Sequence, residues 1–213
     1  MSNDQQAGKS RLRVRIFVDY WNFSLSMSAE RPNFKADWVK MTRLLAERAA
    51  AVVDPDRPHS YEAMHVYASF DPAAPGTPKF RNWLESWLDR QPGVHVSCVP
   101  RREKIAAPRC PSCHTVAHSC PSCGSDMRGM EEKGVDTRMV TDMMSLAWSD
   151  AYDVALLISA DSDFVPLAEE LQKRGIKIVH GHFGSRGAEL SRSCWGNLDI
   201  GALMPEFEFV KSA

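Results

Sequence analysis

The chain has 213 residues, 44% of them hydrophobic, enough for one substantial core with room for a small appendage. Its formal net charge of −1 excludes a globally basic nucleic-acid binder and leaves any such contact to local patches. The opening MSNDQQAGKS is polar and no run reaches the length of a membrane span, so neither a secretory signal nor a membrane partner is expected and the chain is placed in the cytoplasm.

Residues 1–10 read as a flexible N-terminus. Leu12 to Val18 is apolar and β-branched and breaks into Asp19-Tyr20-Trp21-Asn22, which predicts a strand ending in a loop. A helix is predicted from about Ala36 to Ala51, a strand from about Tyr61 to Ser69, a helix from about Lys79 to Arg90 and a short strand from Val94 to Val99. Residues 100–130 change character, with four cysteines, four prolines, several basic residues and no sustained apolar period, and read as an insertion. The alternation then resumes: a helix over about Val135 to Trp148, the strand Val154 to Ser159, a helix over about Phe164 to Arg174, the strand Ile176 to His180 and a last helix near Ala188 to Cys194. No internal repeat is expected. Alternating strands and helices predict a three-layer α/β fold with a mostly parallel sheet, because parallel neighbours need crossover connections.

In such sheets ligands bind beyond the carboxyl ends of the strands, where the strand order reverses. Asp19 and the Asp161-Ser162-Asp163 group both follow strands directly, so both belong to that edge. Aspartates converging there supply the oxygen ligands that Mg²⁺ and Mn²⁺ prefer. The bland alternative is that such residues form turns or cap helices, and Asp163 in particular stands where an N-cap is wanted. At about 100° per residue, Asp136 falls inside the apolar arc of Val135, Val140, Met139, Met143 and Ala147, where an ionised carboxylate is costly unless it is paired or binds a metal. Placement in the first helical turn, complementing the helix dipole, is the alternative.

Cys110-x2-Cys113-x6-Cys120-x2-Cys123 forms two chelating pairs whose four thiolates satisfy tetrahedral Zn²⁺. A closed site of this kind holds structure rather than catalyses, which makes residues 100–130 a zinc-ribbon-like binding or interface module. Arg101, Arg102, Lys104 and Arg109 at its start are candidates for phosphate contact, with Arg186 and Arg192 as weaker ones; a solvated charged surface is the competing reading.

Val18-Asp19-Tyr20-Trp21-Asn22-Phe23, Lys133-Gly134-Val135-Asp136 and the stretch Leu157 to Leu167 resemble the three signature blocks of NYN domains, which are PIN-like nucleases, and the LabA-like branch in particular. The resemblance implies a PIN-like α/β/α sandwich over residues 11–99 and 131–205, and Mg²⁺- or Mn²⁺-dependent cleavage of RNA phosphodiesters by water. It implies that Asp19, Asp136, Asp161 and Asp163 form the acidic, metal-holding site, with Asn22 as the polar partner of Asp19. Lys133 and Ser159 match accompanying positions and are carried as substrate contacts. Tyr20-Trp21 replaces the small residues usual between the first Asp and the Asn, and Trp21 is a candidate stacking surface for a base. RNA is the expected partner, and homo-oligomerisation is left open.

A non-catalytic RNA-binding or adaptor protein on the same fold is the alternative, against which all four aspartates speak. An aspartyl-nucleophile phosphatase would need a second Asp two residues after Asp19, and that position is Trp21.

Overall fold

The computed structural model describes residues 10–210; residues 1–9 and 211–213, and with them the expectation for the N-terminal segment, lie outside the described residues. Six strands make one sheet: β1 (Leu12–Asp19), β2 (His59–Phe70), β3 (Val94–Pro100), β6 (Val154–Ile158), β7 (Lys177–His182) and β8 (Gly196–Asp199). Their order is β3-β2-β1-β6-β7-β8, and every pair is parallel. Two further strands, β4 (Arg102–Glu103) and β5 (Met130–Glu131), pair antiparallel as a separate ribbon. The helices are α1 (Tyr20–Glu30), α2 (Trp38–Val53), α3 (Thr77–Asn82), α4 (Val135–Trp148), α5 (Val165–Lys173), α6 (Ala188–Ser193) and α7 (Ile200–Leu203).

Two hydrophobic clusters, one on each sheet face, show why the strands read as near-continuous apolar runs. Successive side chains of a strand point to opposite faces, so in β1 Val14, Ile16 and Val18 join the α2 side while Phe17 joins the α4–α5 side. β6, Val-Ala-Leu-Leu-Ile, is buried throughout and divides likewise. Asp19 shares the parity of Phe17, so β1 delivers it to the α4 side. The chain fills one half of the sheet with β1, β2 and β3, then returns to lay β6 on the other flank of β1. The order therefore reverses between β1 and β6, and a crevice is expected beyond their carboxyl ends.

Several elements differ from the sequence reading. Where a loop was expected after Asp19, the helix α1 begins at once, because Asp19 accepts a hydrogen bond from Asn22 N (3.2 Å) and caps it. The helix expected over Lys79 to Arg90 is α3 followed by a π-helical stretch, Trp83–Leu88, along which Phe80, Trp83 and Trp87 stack. The helix expected from Phe164 is preceded by a 3₁₀ turn, Ser162–Phe164, capped by Asp161 rather than Asp163 through a 2.9 Å bond from Asp163 N. β8 and α7 were not expected; Gly-Asn-Leu-Asp is short and poor in strand-favouring residues.

The insertion leaves β3 and returns before α4 through the β4–β5 ribbon. Beyond that stem it contains a repeat, contrary to expectation. Arg109↔Val116 and Ser119↔Asp126 close two successive hairpins of equal span. Cys110 N bonds Thr115 O and His114 N bonds Cys110 O; Cys120 N bonds Ser125 O and Gly124 N bonds Cys120 O. The two copies, RCPSCHTV and SCPSCGSD, share only Cys-Pro-Ser-Cys, too short a match to read as periodicity without the backbone. Among the described residues no helix is long and apolar enough to cross a membrane.

Candidate active site

Asp19, at the end of β1, is 5% exposed and is the only buried carboxylate among the described residues. Leaving a carboxylate out of water is costly unless its oxygens are satisfied. Asn22 donates through both its backbone and its side-chain nitrogen, and Ser159 Oγ donates from 3.1 Å. Burial nevertheless pushes the Asp19 carboxyl above the ordinary range, the hydrogen bonds opposing it.

Ser159 is itself buried beneath the crevice, just beyond β6, and its Oγ also accepts from Asp161 N (3.2 Å). One hydroxyl thus ties the end of β1 to the turn that carries Asp161. Its carbonyl accepts from His180 Nε2 at 2.7 Å, and His180 Nδ1 meets Ser191 Oγ at 2.7 Å. This stack fits only because residue 187 is Gly: its φ is +73°, and a Cβ there would lie 2.8 Å from the His180 ring. Ser159, carried in as a substrate contact, stands instead among the supports of Asp19.

Asp136 lies in the first turn of α4, behind Gly134, whose φ of 90° turns the chain into the helix. The buried face of α4 is Val135, Met139, Met143 and Ala147. Asp136 is not part of that core, where the helical arithmetic had put it: the residue is exposed. Its carboxyl is pushed up to about 6, first by desolvation and then by the charges of Asp19, Asp161, Glu132 and Asp163. The charges that act on Asp136 are thus those of the expected aspartates and of Glu132, which the sequence reading passed over. The signal for it was the Glu131-Glu132 pair immediately before Lys133.

The opposite end of the sheet is a useful contrast. There Arg13 holds Asp153 through bonds of 3.0 and 2.8 Å, which keeps the Asp153 carboxyl below the usual range. Among the described residues none of Asp19, Asp136, Asp161 and Asp163 has an ion-pair partner within reach. Nor are three His, Cys, Asp or Glu side chains already drawn together as a metal-ligand group among the described residues, either here or in the insert. The donor chemistry nevertheless suits a hard cation: oxygen only, one fixed buried carboxylate, and exposed or half-buried aspartates on adjoining turns.

The remaining expected contacts lie on several elements. Lys133 is exposed just before Gly134, and Arg102 is exposed in β4. Arg186 pairs with Glu30 (3.1 Å) and, with Asn22, Phe23 and Ser159, lines a small pocket next to Asp19. The Trp21 ring meets the edge of Tyr20 at 5.2 Å and Phe80 at 5.4 Å, and the Arg101 guanidinium lies over it. In the insert each cysteine pair forms its own knuckle. The Cys113 thiol is pushed down to about 7 by hydrogen bonds from Thr115, and the Cys123 thiol is lowered by Ser125. Cys98 and Cys194 are half-buried thiols raised by burial.

A search of curated proteins gives no match. The chain is similar in fold to the crystal structure of a protein of unknown function from Vibrio parahaemolyticus, with a TM-score of 0.51 and 16% identity over 96% of this chain and 100% of that one. The NYN domain profile matches residues 13–200, from β1 to the first residue of α7. With the crevice at the β1–β6 reversal and its carboxylates in place, that match over most of the sequence identifies the chain as a member of the NYN domain family, a family of PIN-like nuclease domains.

Proposed function

We propose that this chain is a Mg²⁺- or Mn²⁺-dependent ribonuclease that hydrolyses RNA phosphodiester bonds at the Asp19 crevice. The observation that carries the reading is the buried Asp19, without a cationic partner and facing carboxylates that push Asp136 up to about 6. An arrangement that raises native carboxyl pKa values opposes folding, so it is retained where a ligand compensates. Asp19, Asp136, Asp161 and Asp163 would hold the cation. When bound, it would supply activation of water and neutralisation of charge on the transferring phosphate.

The protein's own groups do the rest. Asn22 and Ser159 fix both oxygens of Asp19, so its orientation is set before substrate arrives. Lys133, exposed just before α4, would meet a phosphate, and Arg102, Lys104 and Arg109 would extend positive charge along the exposed insert. The two knuckles would share one structural Zn²⁺ through Cys110, Cys113, Cys120 and Cys123, since hydrogen bonds to Cys113 and Cys123 favour the thiolate that zinc requires. The insert would then be a rigid arm for RNA.

The test is cleavage of labelled single-stranded RNA and DNA of matched sequence by metal-stripped protein. Activity on RNA restored by Mg²⁺ or Mn²⁺ and withheld by EDTA supports the proposal. Cleavage persisting in excess EDTA defeats the cation reading, and restoration by Zn²⁺ alone defeats the choice of metal.

A further inference from the structure

Four side chains from four segments meet where the insert joins the crevice. Trp21, in the first turn of α1, donates its Nε1–H to Ser69 O at the end of β2 (2.8 Å). Arg101, the residue after β3, donates Nε–H to Ser69 Oγ (2.9 Å) and sets its guanidinium 5.2 Å from the centre of the Trp21 ring. Its backbone N–H reaches Phe70 O (2.7 Å), so its main chain is held as well. Glu132, the residue after β5, accepts the Ser69 hydroxyl proton and stands 3.6 Å from the Arg101 guanidinium. Ser69 is 0% exposed. Its single proton goes to Glu132 and a lone pair to Arg101, an arrangement that leaves little alternative geometry.

We infer that Glu132 is a fifth carboxylate of the cation-binding crevice and that Ser69, Arg101 and Trp21 are positioning residues that aim it, so that both ends of the insert belong to the site. The inference rests on the reading of the crevice as a cation site. Its geometric support is the location of Glu132 four residues before Asp136, on the same sheet edge as Ser69 and Asp19. The charge of Glu132 reaches the site, being among the causes that raise both the Asp19 and the Asp136 carboxyl. The same contacts explain the bulk of Trp21: it is the platform on which Arg101 lies. An arginine serves here where lysine does not, because only a planar guanidinium can stack on the indole while its Nε–H bonds Ser69 Oγ and its far edge faces the Glu132 carboxylate.

A role in plain charge balance makes the opposite forecast. If Arg101 only neutralises Glu132, removing Arg101 adds net negative charge to the crevice and tightens cation binding, while Arg101→Lys changes nothing. If Arg101 aims Glu132, both substitutions weaken binding.

The experiment is a titration of full-length, metal-stripped protein with Mn²⁺, reading free Mn²⁺ by electron paramagnetic resonance, with folding of each variant checked by its thermal transition. Glu132→Gln and Arg101→Met are each expected to weaken Mn²⁺ affinity by roughly tenfold or more, the range seen when groups supporting metal ligands are removed. Arg101→Lys is expected to follow Arg101→Met. The double variant is expected to be no weaker than the weaker single one, since the two residues act as one unit. Tighter binding in Arg101→Met, unchanged binding in Glu132→Gln, or losses that add in the double variant would overturn the inference while leaving the cation site standing. A wild-type protein that binds no Mn²⁺ would remove the cation reading itself.

Discussion

Replacing Asp19 with Asn neutralises the one buried carboxylate among the described residues at nearly constant volume. One oxygen remains to accept from the Asn22 backbone N–H; the other becomes an amide nitrogen facing Asn22 Nδ2 and Ser159 Oγ, the two donors that had shared it. In cation-free protein two effects oppose each other. Two hydrogen bonds are lost, but so is a charge whose native pKa is raised, and such a charge destabilises the native state once the pH exceeds the unfolded value. The cation-free stabilities of the two proteins should therefore be close. Cation changes this, because a ligand bound only by the native state adds about 2.7 kcal/mol at a hundredfold excess over its Kd. For a chain of this length each kcal/mol moves Tm by roughly 2–4 °C, so saturating Mn²⁺ should raise the wild-type Tm by about 5–10 °C. The Asn variant should respond by only a small fraction of that. Scanning fluorimetry of EDTA-stripped protein, with and without Mn²⁺, reads both numbers. An equal rise in the two proteins would refute the placing of Asp19 in the cation site.

Three further outcomes are expected. His65, half-buried and stacked on Phe17 at 5.1 Å, has its pKa pushed down to about 3 by burial and by nearby His95 and Arg15. The unfolded chain therefore takes up that proton first, and stability that is full above the unfolded value of about 6.5 declines as pH falls toward the native one. Between about pH 7 and about pH 5 this amounts to about 2 kcal/mol, which His65→Phe should remove from the pH dependence of the urea midpoint; an unchanged slope would exclude the residue as the source. Freshly purified, reduced protein should carry about one zinc per chain by elemental analysis, and Cys110→Ser with Cys113→Ser should release it. Because the insert stands outside the sandwich on its own stem, zinc loss should expose amides of residues 104–128 to hydrogen exchange before those of the sheet, and simultaneous exposure of both would contradict that order. Ser159→Ala should lower kcat with little change in KM for RNA, since Ser159 is buried under Asp19; a rise in KM alone would make it a substrate contact.

Much of this architecture was legible before the structure, and for identifiable reasons. The run from Val154 to Ile158 is wholly apolar because both faces of a parallel strand are covered, and Val135 to Trp148 keeps a helical period over its full length. Asp19, Asp161 and Asp163 stood out because they follow strands, and Asp136 because of its helical phase. What did not show was where a side chain goes once it leaves its element. Asp136 has the helical phase of a core residue, yet it sits in the first turn, beyond the sheet edge, where phase no longer implies burial. Asp161 and Asp163 are two residues apart and exchange the capping role through a 3₁₀ turn that no periodicity marks. Ser69, Arg101, Trp21 and Glu132 come together from separate parts of the chain, and only the closing of β2, β3 and the insert's stem onto one edge makes them neighbours. The paired knuckles were visible as a metal-binding spacing but not as a repeat, because the second hairpin shares only its Cys-Pro-Ser-Cys core with the first.

The central claim is that the carboxylates at the β1–β6 edge would hold a cation for hydrolysis of RNA, and the most direct measurement compares wild type with Asp161→Asn on the same end-labelled RNA in Mn²⁺. Asp161 is the member to choose because the variant keeps a side-chain oxygen to accept from Asp163 N, so the 3₁₀ turn and the fold should persist. The account expects wild-type cleavage with product ends generated by hydrolysis, and a rate for Asp161→Asn reduced by at least about a hundredfold, as for loss of one strong electrostatic contact to a transition state. Equal rates in the two folded proteins would contradict it.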